Sequence, residues 1–158
     1  MSKLSHCLWF DTEAEEAARF YVSLLPDSRI DRIVRNPITM PGGDAGAVML
    51  VDFTLAGKSH AALNGGPHHT HSAAFSFVVA CADQTEIDRL WQAIEDGGKP
   101  MACGWIADRY GVAWQIVWPP LLDMLSSPDR AAAARAMQAM LGMIKLDVAA
   151  IEAAYRGG

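Results

Sequence analysis

The alternation of hydrophobic and polar positions divides the chain into two halves of similar plan and a helical end. Residues 5–10 form a short apolar segment typical of a strand, and residues 14–25 carry apolar side chains at the spacing of one helix face. Three more strands are predicted at residues 29–35, 48–55 and 59–64, because turn formers bound each of them. The first half is therefore predicted to fold as β-α-β-β-β.

The second half repeats this plan about 70 residues further along the chain. An apolar strand is predicted at residues 73–80 and a helix at residues 86–95, and the same shift superposes them on the first strand and helix. Residues 103–107 and 112–118 predict a closing hairpin, whose turn at residues 108–111 ends in a glycine. The repeat predicts two modules of one plan.

The pattern changes after Trp118, where two prolines end the strand. Ser127 is a candidate N-cap for a helix that runs to about Met143, and Asp147 is a candidate cap for a last helix that ends before Gly157. Methionines at helical spacing in this tail are typical of core or interface packing. The tail is predicted to cover a sheet edge or to make a dimer contact.

Composition narrows the class of protein. The chain has 158 residues, 51% of them hydrophobic, and a net charge of −5, which predicts no nucleic-acid surface and either one compact domain or two small half-domains that share a core. No apolar run approaches the roughly 20 residues that span a bilayer, and residues 1–10 lack the apolar core of a signal peptide. The cysteines, Cys103 included, lack zinc-site spacing and predict buried, reduced thiols in a cytoplasmic protein.

Several motifs resemble one known family. They are LWFD at residues 8–11, EEAARFY at 15–21, ALNGGP at 62–67, FSF at 75–77, CGW at 103–105 and DRYGVAWQIV at 108–117. Together they resemble the PhnB-like, demethylubiquinone methyltransferase-like branch of the vicinal oxygen chelate superfamily, which has the glyoxalase and bleomycin-resistance fold. Despite that label, the chain shows no Gly-rich loop of a Rossmann unit that would suggest S-adenosylmethionine.

The resemblance implies an α+β fold in a single domain, residues 1–158. Two βαβββ modules, at about residues 4–66 and 73–118, would form a cupped half-barrel, and a helical extension would follow at about residues 119–156. The resemblance also implies a homodimer, because members of this fold usually pair to complete their sheets.

The resemblance further implies where a ligand would bind. Metal-dependent members hold one divalent ion with His or Glu from the first and last strands of each module, and the corresponding positions here are His6, Asn64, Ser76 and Gln115. Neutral amide and hydroxyl oxygens hold zinc, nickel or iron(II) weakly, so we expect no metal and no other cofactor. The expected small-molecule pocket contains these four residues together with His60, Trp105 and Tyr110.

Strand alternation predicts which side chains face this pocket. His6 and Leu8 share one face of the first strand, so Cys7 and Trp9 are expected to turn towards the helix. In the last strand, Trp114 is expected to pack under the second helix.

The histidines themselves leave alternatives. His6 is either a half-exposed strand residue or a pocket base, since imidazole titrates near neutrality. His68, His69 and His71 predict a solvated connector more than a metal site, because no carboxylate or cysteine joins them.

Three functions therefore stay open at this point. The first is a small-molecule binding protein or metal-independent enzyme with the pocket just described. The second is a divalent-metal-dependent lyase, isomerase or dioxygenase that uses His6 and His60. The third is a non-catalytic dimeric scaffold whose tail makes the contacts.

Overall fold

The repeated pattern folds as two four-stranded sheets in a computed structural model that describes residues 3–158. The chain divides into two units, of which unit 1 ends at His71 and unit 2 begins at Ser72. Unit 1 contains β1 (His6–Phe10), α1 (Ala14–Leu24), β2 (Arg29–Arg35), β3 (Val48–Leu55) and β4 (Lys58–Asn64). Its strand order is β1-β4-β3-β2, with β1 and β4 parallel and the other pairs antiparallel.

Unit 2 repeats this topology. It contains β5 (Ser76–Ala80), α2 (Gln84–Glu95), β6 (Lys99–Pro100), β7 (Trp105–Ala107) and β8 (Ala113–Val117). The strand order is β5-β8-β7-β6, again with one parallel pair followed by antiparallel pairs. The tail adds α3 (Pro119–Leu125), α4 (Arg130–Leu141) and α5 (Val148–Arg156). The α+β class, the two βαβββ modules and the helical extension are therefore confirmed, whereas a single domain of both units stays a prediction.

Each helix packs on its own sheet through one apolar face. In α1 the buried side chains are Ala14, Ala17, Ala18, Tyr21 and Leu24, and in α2 they are Ile87, Leu90, Trp91 and Ile94. These positions follow the three- and four-residue spacing that predicted both helices. The two cores therefore form between one helix and one face of one sheet.

Several predicted boundaries are wrong. Cys103 and Gly104 adopt φ angles of 60° and 80°, in the left-handed region, so the strand predicted from Cys103 begins only at Trp105. The two-residue edge strand β6 lacks an alternation that a pattern could detect. The prolines after Trp118 end the strand as predicted, and they also start the short helix α3, because a helix tolerates proline in its first turn.

The tail attaches to unit 2 through backbone hydrogen bonds. The N–H groups of Cys103 and Gly104 donate to the carbonyls of Met143 and Ile144 at 2.8 and 2.7 Å. The Gln84 amide of α2 donates to the Leu146 carbonyl and accepts from the Val148 N–H. The tail is thus part of the packed structure of unit 2.

Within residues 3–158, no helix combines the length and the apolar character needed to cross a membrane.

Candidate functional site

In each unit the helix covers one face of the sheet, which we call the helix-proximal face, and the opposite face is the helix-distal face. In unit 1 the Phe53 ring contacts Tyr21 of α1, with centroids 6.3 Å apart. Phe53 pairs with His60 across the sheet, so His60, Ala62 and Asn64 all lie on the helix-proximal face.

The predicted orientation of β1 is wrong. Leu8 and Phe10 are only 3% and 4% exposed and belong to the core, whereas Cys7 is exposed and Trp9 half-buried. Cys7 and Trp9 therefore lie on the helix-distal face. Because side chains alternate along a strand, an error of one residue in register turns the whole strand over.

His6, His60 and Phe53 form a stack of three rings on the helix-proximal face. The ring centroids of His6 and His60 are 5.3 Å apart, and those of His60 and Phe53 are 5.4 Å apart. The stack runs from exposed His6 to Phe53, which is fully buried. Burial lowers the pKa of His60 below its ordinary value, and the nearby His6 charge lowers this pKa further. A neutral, packed His60 is the result.

The two imidazoles are poorly arranged for holding a metal ion together. Their planes are inclined by only 23°, so the in-plane nitrogen lone pairs of the stacked rings do not converge on one point. Across residues 3–158, three or more His, Cys, Asp or Glu side chains do not gather into a potential metal cluster. The expected absence of a metal remains a prediction.

Asn64 joins α1 to the sheet. Its Oδ1 accepts the Ala14 N–H at 2.8 Å, and its Nδ2 donates to the Val48 carbonyl at 3.0 Å. The N-cap residue Glu13 makes no side-chain capping bond, so Asn64 serves the N-terminus of α1 from a distant strand. Asn64 also lines a cavity of about 570 Å³ beside that helix end. The two backbone bonds fix the orientation of this amide and leave it one N–H and one acceptor lone pair.

The helix-distal face of unit 1 carries polar chemistry that the sequence did not predict. Cys7, Ala61, Asp52 and Arg32 lie in one row across the four strands, because each is paired with the next. Arg32 donates to the Asp52 carboxylate through Nε at 2.8 Å and through a second guanidinium nitrogen. The lone carboxylate in the apolar strand β3 could have indicated Asp52, but its partner depends on strand register.

Cys7 lies on this face with its thiol in the protonated form. Desolvation raises the pKa of Cys7, and the Asp52 carboxylate raises it further because a nearby anion disfavours the thiolate. Although the residue as a whole is exposed, the thiol is thus not activated as a nucleophile.

In unit 2, Ser76 and Gln115 lie together on the helix-distal face. Gln115 Nε2 donates to Ser76 Oγ at 2.9 Å, and Gln115 pairs with Val78 on one side and with Trp105 on the other. Val78 is 60% exposed, whereas Trp114 is fully buried on the opposite face, as predicted. The alternation predicted for this strand is confirmed.

The turn between β7 and β8 is organised by Asp108, a buried carboxylate that the sequence reasoning treated only as a turn residue. It accepts the backbone N–H groups of Tyr110 and Val112 at 2.8 and 3.0 Å. It also accepts Trp114 Nε1–H at 2.9 Å, which links the turn to the core. Half-buried Tyr110 is positioned by this turn, next to the strand that carries Gln115.

The connector histidines and cysteines differ in part from their predictions. His68 and His69 are exposed, and the His69 ring meets Trp9 edge-on at 4.8 Å, but His71 is half-buried against Phe10. All cysteines are free, yet only Cys81 is buried, since Cys7 is exposed and Cys103 intermediate. The prediction of a solvated connector is therefore only partly correct, and so is the prediction of three buried thiols.

Comparison with known proteins decides the family. Residues 2–117 match the family described as 3-demethylubiquinone-9 3-methyltransferase. The chain belongs to this family. The PhnB-like, demethylubiquinone methyltransferase-like branch, to which the motifs pointed, is thereby confirmed. No curated protein matches the chain.

Several solved structures are similar to this chain, to different degrees. A putative 3-demethylubiquinone-9 3-methyltransferase, PhnB protein, from Bacillus cereus is 32% identical, with a TM-score of 0.68, over 74% of this chain and 99% of that one. A protein from Pseudomonas aeruginosa is 19% identical, with a TM-score of 0.60, over 72% and 95% of the two chains. A glyoxalase/bleomycin resistance protein from Albidiferax ferrireducens is 18% identical over 72% and 96%, with a TM-score of 0.45. The family match ends at Val117, so α3, α4 and α5 lie outside it.

Proposed function

We propose that this chain binds small organic molecules on the helix-distal face of the sheet in each unit, as a binding protein or as a metal-independent enzyme. The observation that carries the proposal is the Ser76–Gln115 hydrogen bond, which holds a polar pair on the face away from α2. An amide and a hydroxyl offer both donors and acceptors, and Val78 and Trp105 supply apolar surface beside them. Small-molecule sites typically combine apolar walls with a few placed polar groups.

The predicted pocket residues take different parts in this proposal. Ser76, Gln115 and Trp105 would contact the ligand, and Tyr110 would border it from the turn. In unit 1, His60 lines a cavity together with residues of β2, β3 and β4. His6 and Asn64 would act through the ring stack and the α1 contact that hold β1 and β4 in place.

A metabolite screen by thermal shift tests the proposal. A compound that raises the melting temperature of the parent should lose its effect in Gln115→Leu, because the leucine offers neither donor nor acceptor. Gln92→Leu is the matched control, since Gln92 is an exposed residue of α2, and it should retain the shift. An unchanged shift in Q115L would contradict the assignment of Gln115.

Metal content separates the proposal from its metal-dependent alternative. Ser76 and Gln115 supply neutral oxygens, and His6 and His60 are stacked, so none of these groups favours a transition-metal ion. Elemental analysis of tag-free protein should find far less than one ion per chain. One tightly held ion per chain would favour the lyase, isomerase or dioxygenase alternative.

Methyl transfer, which the family description names, is not part of the proposal. The segments between β1 and α1 and between β5 and α2, residues 11–13 and 81–83, contain no glycine. They therefore lack the Gly-rich strand-to-helix turn of a Rossmann unit. S-adenosylmethionine, added to the thermal-shift panel, should leave the melting temperature unchanged.

We also propose that the chain forms a homodimer. Leu122, Leu141 and Ile144 of the tail are 66%, 61% and 59% exposed, and large exposed apolar side chains are candidates for an interface between copies of the chain. Light scattering coupled to size-exclusion chromatography should give twice the monomer mass of 17.1 kDa. A monomer at all accessible concentrations would contradict this.

A cytoplasmic location is the last part of the proposal. All cysteines are free, and free thiols are typical of reducing compartments. Fractionation of cells that express the native chain should recover it with cytoplasmic markers.

A further inference from the structure

The helix-distal face of unit 1 has a charged half, which borders a cavity of about 570 Å³ that His60 and Phe53 of the helix-proximal face also line. Arg29 Nε lies 2.8 Å from Asp31 Oδ1, and Arg32 is paired with Asp52. The Thr54 hydroxyl donates to Asp31 Oδ2 at 2.6 Å. Two ion pairs thus form part of the lining of this cavity, in contrast to the neutral Ser76–Gln115 pair of unit 2.

The charges of this cavity are balanced. Two guanidinium groups and two carboxylates line it, and each cation lies against an anion. A small anion would be attracted by Arg32 but repelled by Asp52, and a small cation would meet the opposite pair of forces. A molecule that carries both charges can face the two side chains at once, with opposite charges matched at each.

An apolar half adjoins the charged half. Trp9, Leu63, Leu50 and Val34 form the neighbouring row across the four strands, two residues further along each of them. Two residues of strand correspond to about 7 Å, a distance that a small molecule can span. The Trp9 ring is held in place, because its Nε1–H donates to the Gly66 carbonyl at 2.9 Å.

We propose that this face, as a site of unit 1 by itself, binds a small zwitterion with an apolar body, of the class of an apolar amino acid; this inference rests on the proposed function of the helix-distal faces. The carboxylate of the ligand faces Arg32, its ammonium group faces Asp52, and its apolar body lies on the Trp9 row. Both halves of the face are then used by one molecule.

Calorimetric titration of the full chain tests the ligand class. The probes are L-leucine, 4-methylpentanoate, which lacks the ammonium group, and 3-methylbutylamine, which lacks the carboxylate. Leucine should bind once per chain and about tenfold or more tighter than either analogue, since each analogue loses one charge-assisted contact. Absence of leucine binding, or equal binding of one analogue, would overturn the proposal.

Charge variants test whether the Arg32–Asp52 pair sets this preference. Asp52→Asn should shift the preference from leucine towards 4-methylpentanoate, because the repulsion of an anion is removed. Arg32→Gln should shift it towards 3-methylbutylamine. The matched controls are Glu152→Gln and Arg156→Gln, which break an exposed ion pair of α5 and should leave the preference unchanged. Identical changes in D52N and R32Q would overturn the assignment of the pair.

The outcomes also separate this inference from the proposed function. A metabolite whose stabilisation is lost in Q115L, together with no leucine binding, would overturn the zwitterion alone. A metabolite panel without any stabilising compound, amino acids included, would overturn both.

Discussion

Gln115 and Ser76 share a side-chain hydrogen bond of 2.9 Å although they lie 39 positions apart in the sequence. The parallel register of β5 and β8 pairs Ser76 with Ala113 and Val78 with Gln115, so the bond runs diagonally between neighbouring pairs. Trp114, the residue next to Gln115, is fully buried on the other face. The strand therefore separates a core side chain from a candidate ligand group within one residue.

This bond should contribute modestly to stability. A double-mutant cycle of Ser76→Ala and Gln115→Ala is expected to give a coupling of about 0.5–1.5 kcal/mol, the usual net value of one hydrogen bond. The measurement is the free energy of unfolding of the parent, both single variants and the double variant in urea. A coupling near zero would mean that the two side chains interact mainly with solvent or ligand.

Asn64 should matter far more for stability. Asn64→Ala removes the acceptor of the Ala14 N–H and the donor to the Val48 carbonyl, and Asn64 is only 7% exposed. A loss of about 2–3 kcal/mol in the free energy of unfolding is expected, since one buried and one partly buried backbone group lose their partners. Asn64→Asp keeps the acceptor and should lose less than N64A. Equal losses would contradict the capping role of Oδ1.

The 70-residue repeat shows why the sequence pattern misplaced the predicted pocket residues of unit 1. A shift of 70 residues superposes the buried faces of the helices, with Tyr21 on Trp91 and Leu24 on Ile94. The same shift places buried Leu8 on Val78, which is 60% exposed. A difference of one residue in a connecting loop leaves the apolar face of a helix recognisable in the alignment. The same difference moves every side chain of a strand to the opposite face of the sheet. The pattern could therefore predict the fold but not which residues of unit 1 face away from α1.

Asp108 shows a second limit. The turn could be predicted from Asp, Tyr and Gly, but the third acceptor bond, to Trp114, depends on how the hairpin packs. Similarly, Arg32 and Asp52 meet only because β2 and β3 pair in one register. The sequence shows that such residues are polar. Whether they meet in one site depends on the strand register and on packing, which local propensity does not determine.

Replacement of Asp108 by asparagine tests the turn. The amide oxygen of the variant can still accept the two backbone N–H groups, but its NH₂ group would face the Trp114 Nε1–H, which is also a donor. We expect a loss of about 1–3 kcal/mol in urea unfolding followed by tryptophan fluorescence. The control Asp96→Asn breaks the exposed Arg109 pair and should cost about 1 kcal/mol or less. Similar effects of D108N and D96N would contradict the buried network.

His60 should make stability depend on pH. Burial, and secondly the His6 charge, lower the pKa of His60 in the folded chain, so the unfolded chain takes up a proton first as the pH falls. The stability that neutral His60 contributes is fully present above the ordinary histidine pKa of about 6.5. It is lost as the pH drops from there towards the lower pKa of His60 in the folded chain. His60→Phe keeps a ring between His6 and Phe53 but cannot titrate. Its free energy of unfolding should therefore fall less than that of the parent between neutral and mildly acidic pH, and parallel curves would contradict the prediction.

Cys7 reports on the charges of the helix-distal face of unit 1. Desolvation and the Asp52 carboxylate both raise the pKa of its thiol, so iodoacetamide should modify it more slowly than an ordinary exposed cysteine at mildly alkaline pH. Asp52→Asn removes the nearby anion and should speed the modification, measured by mass spectrometry of the Cys7 peptide. Cys81 is an internal control in the same digest, since burial first of all raises its pKa to about 12 and it should stay unmodified. Equal Cys7 rates in the parent and in D52N would mean that desolvation alone controls the thiol.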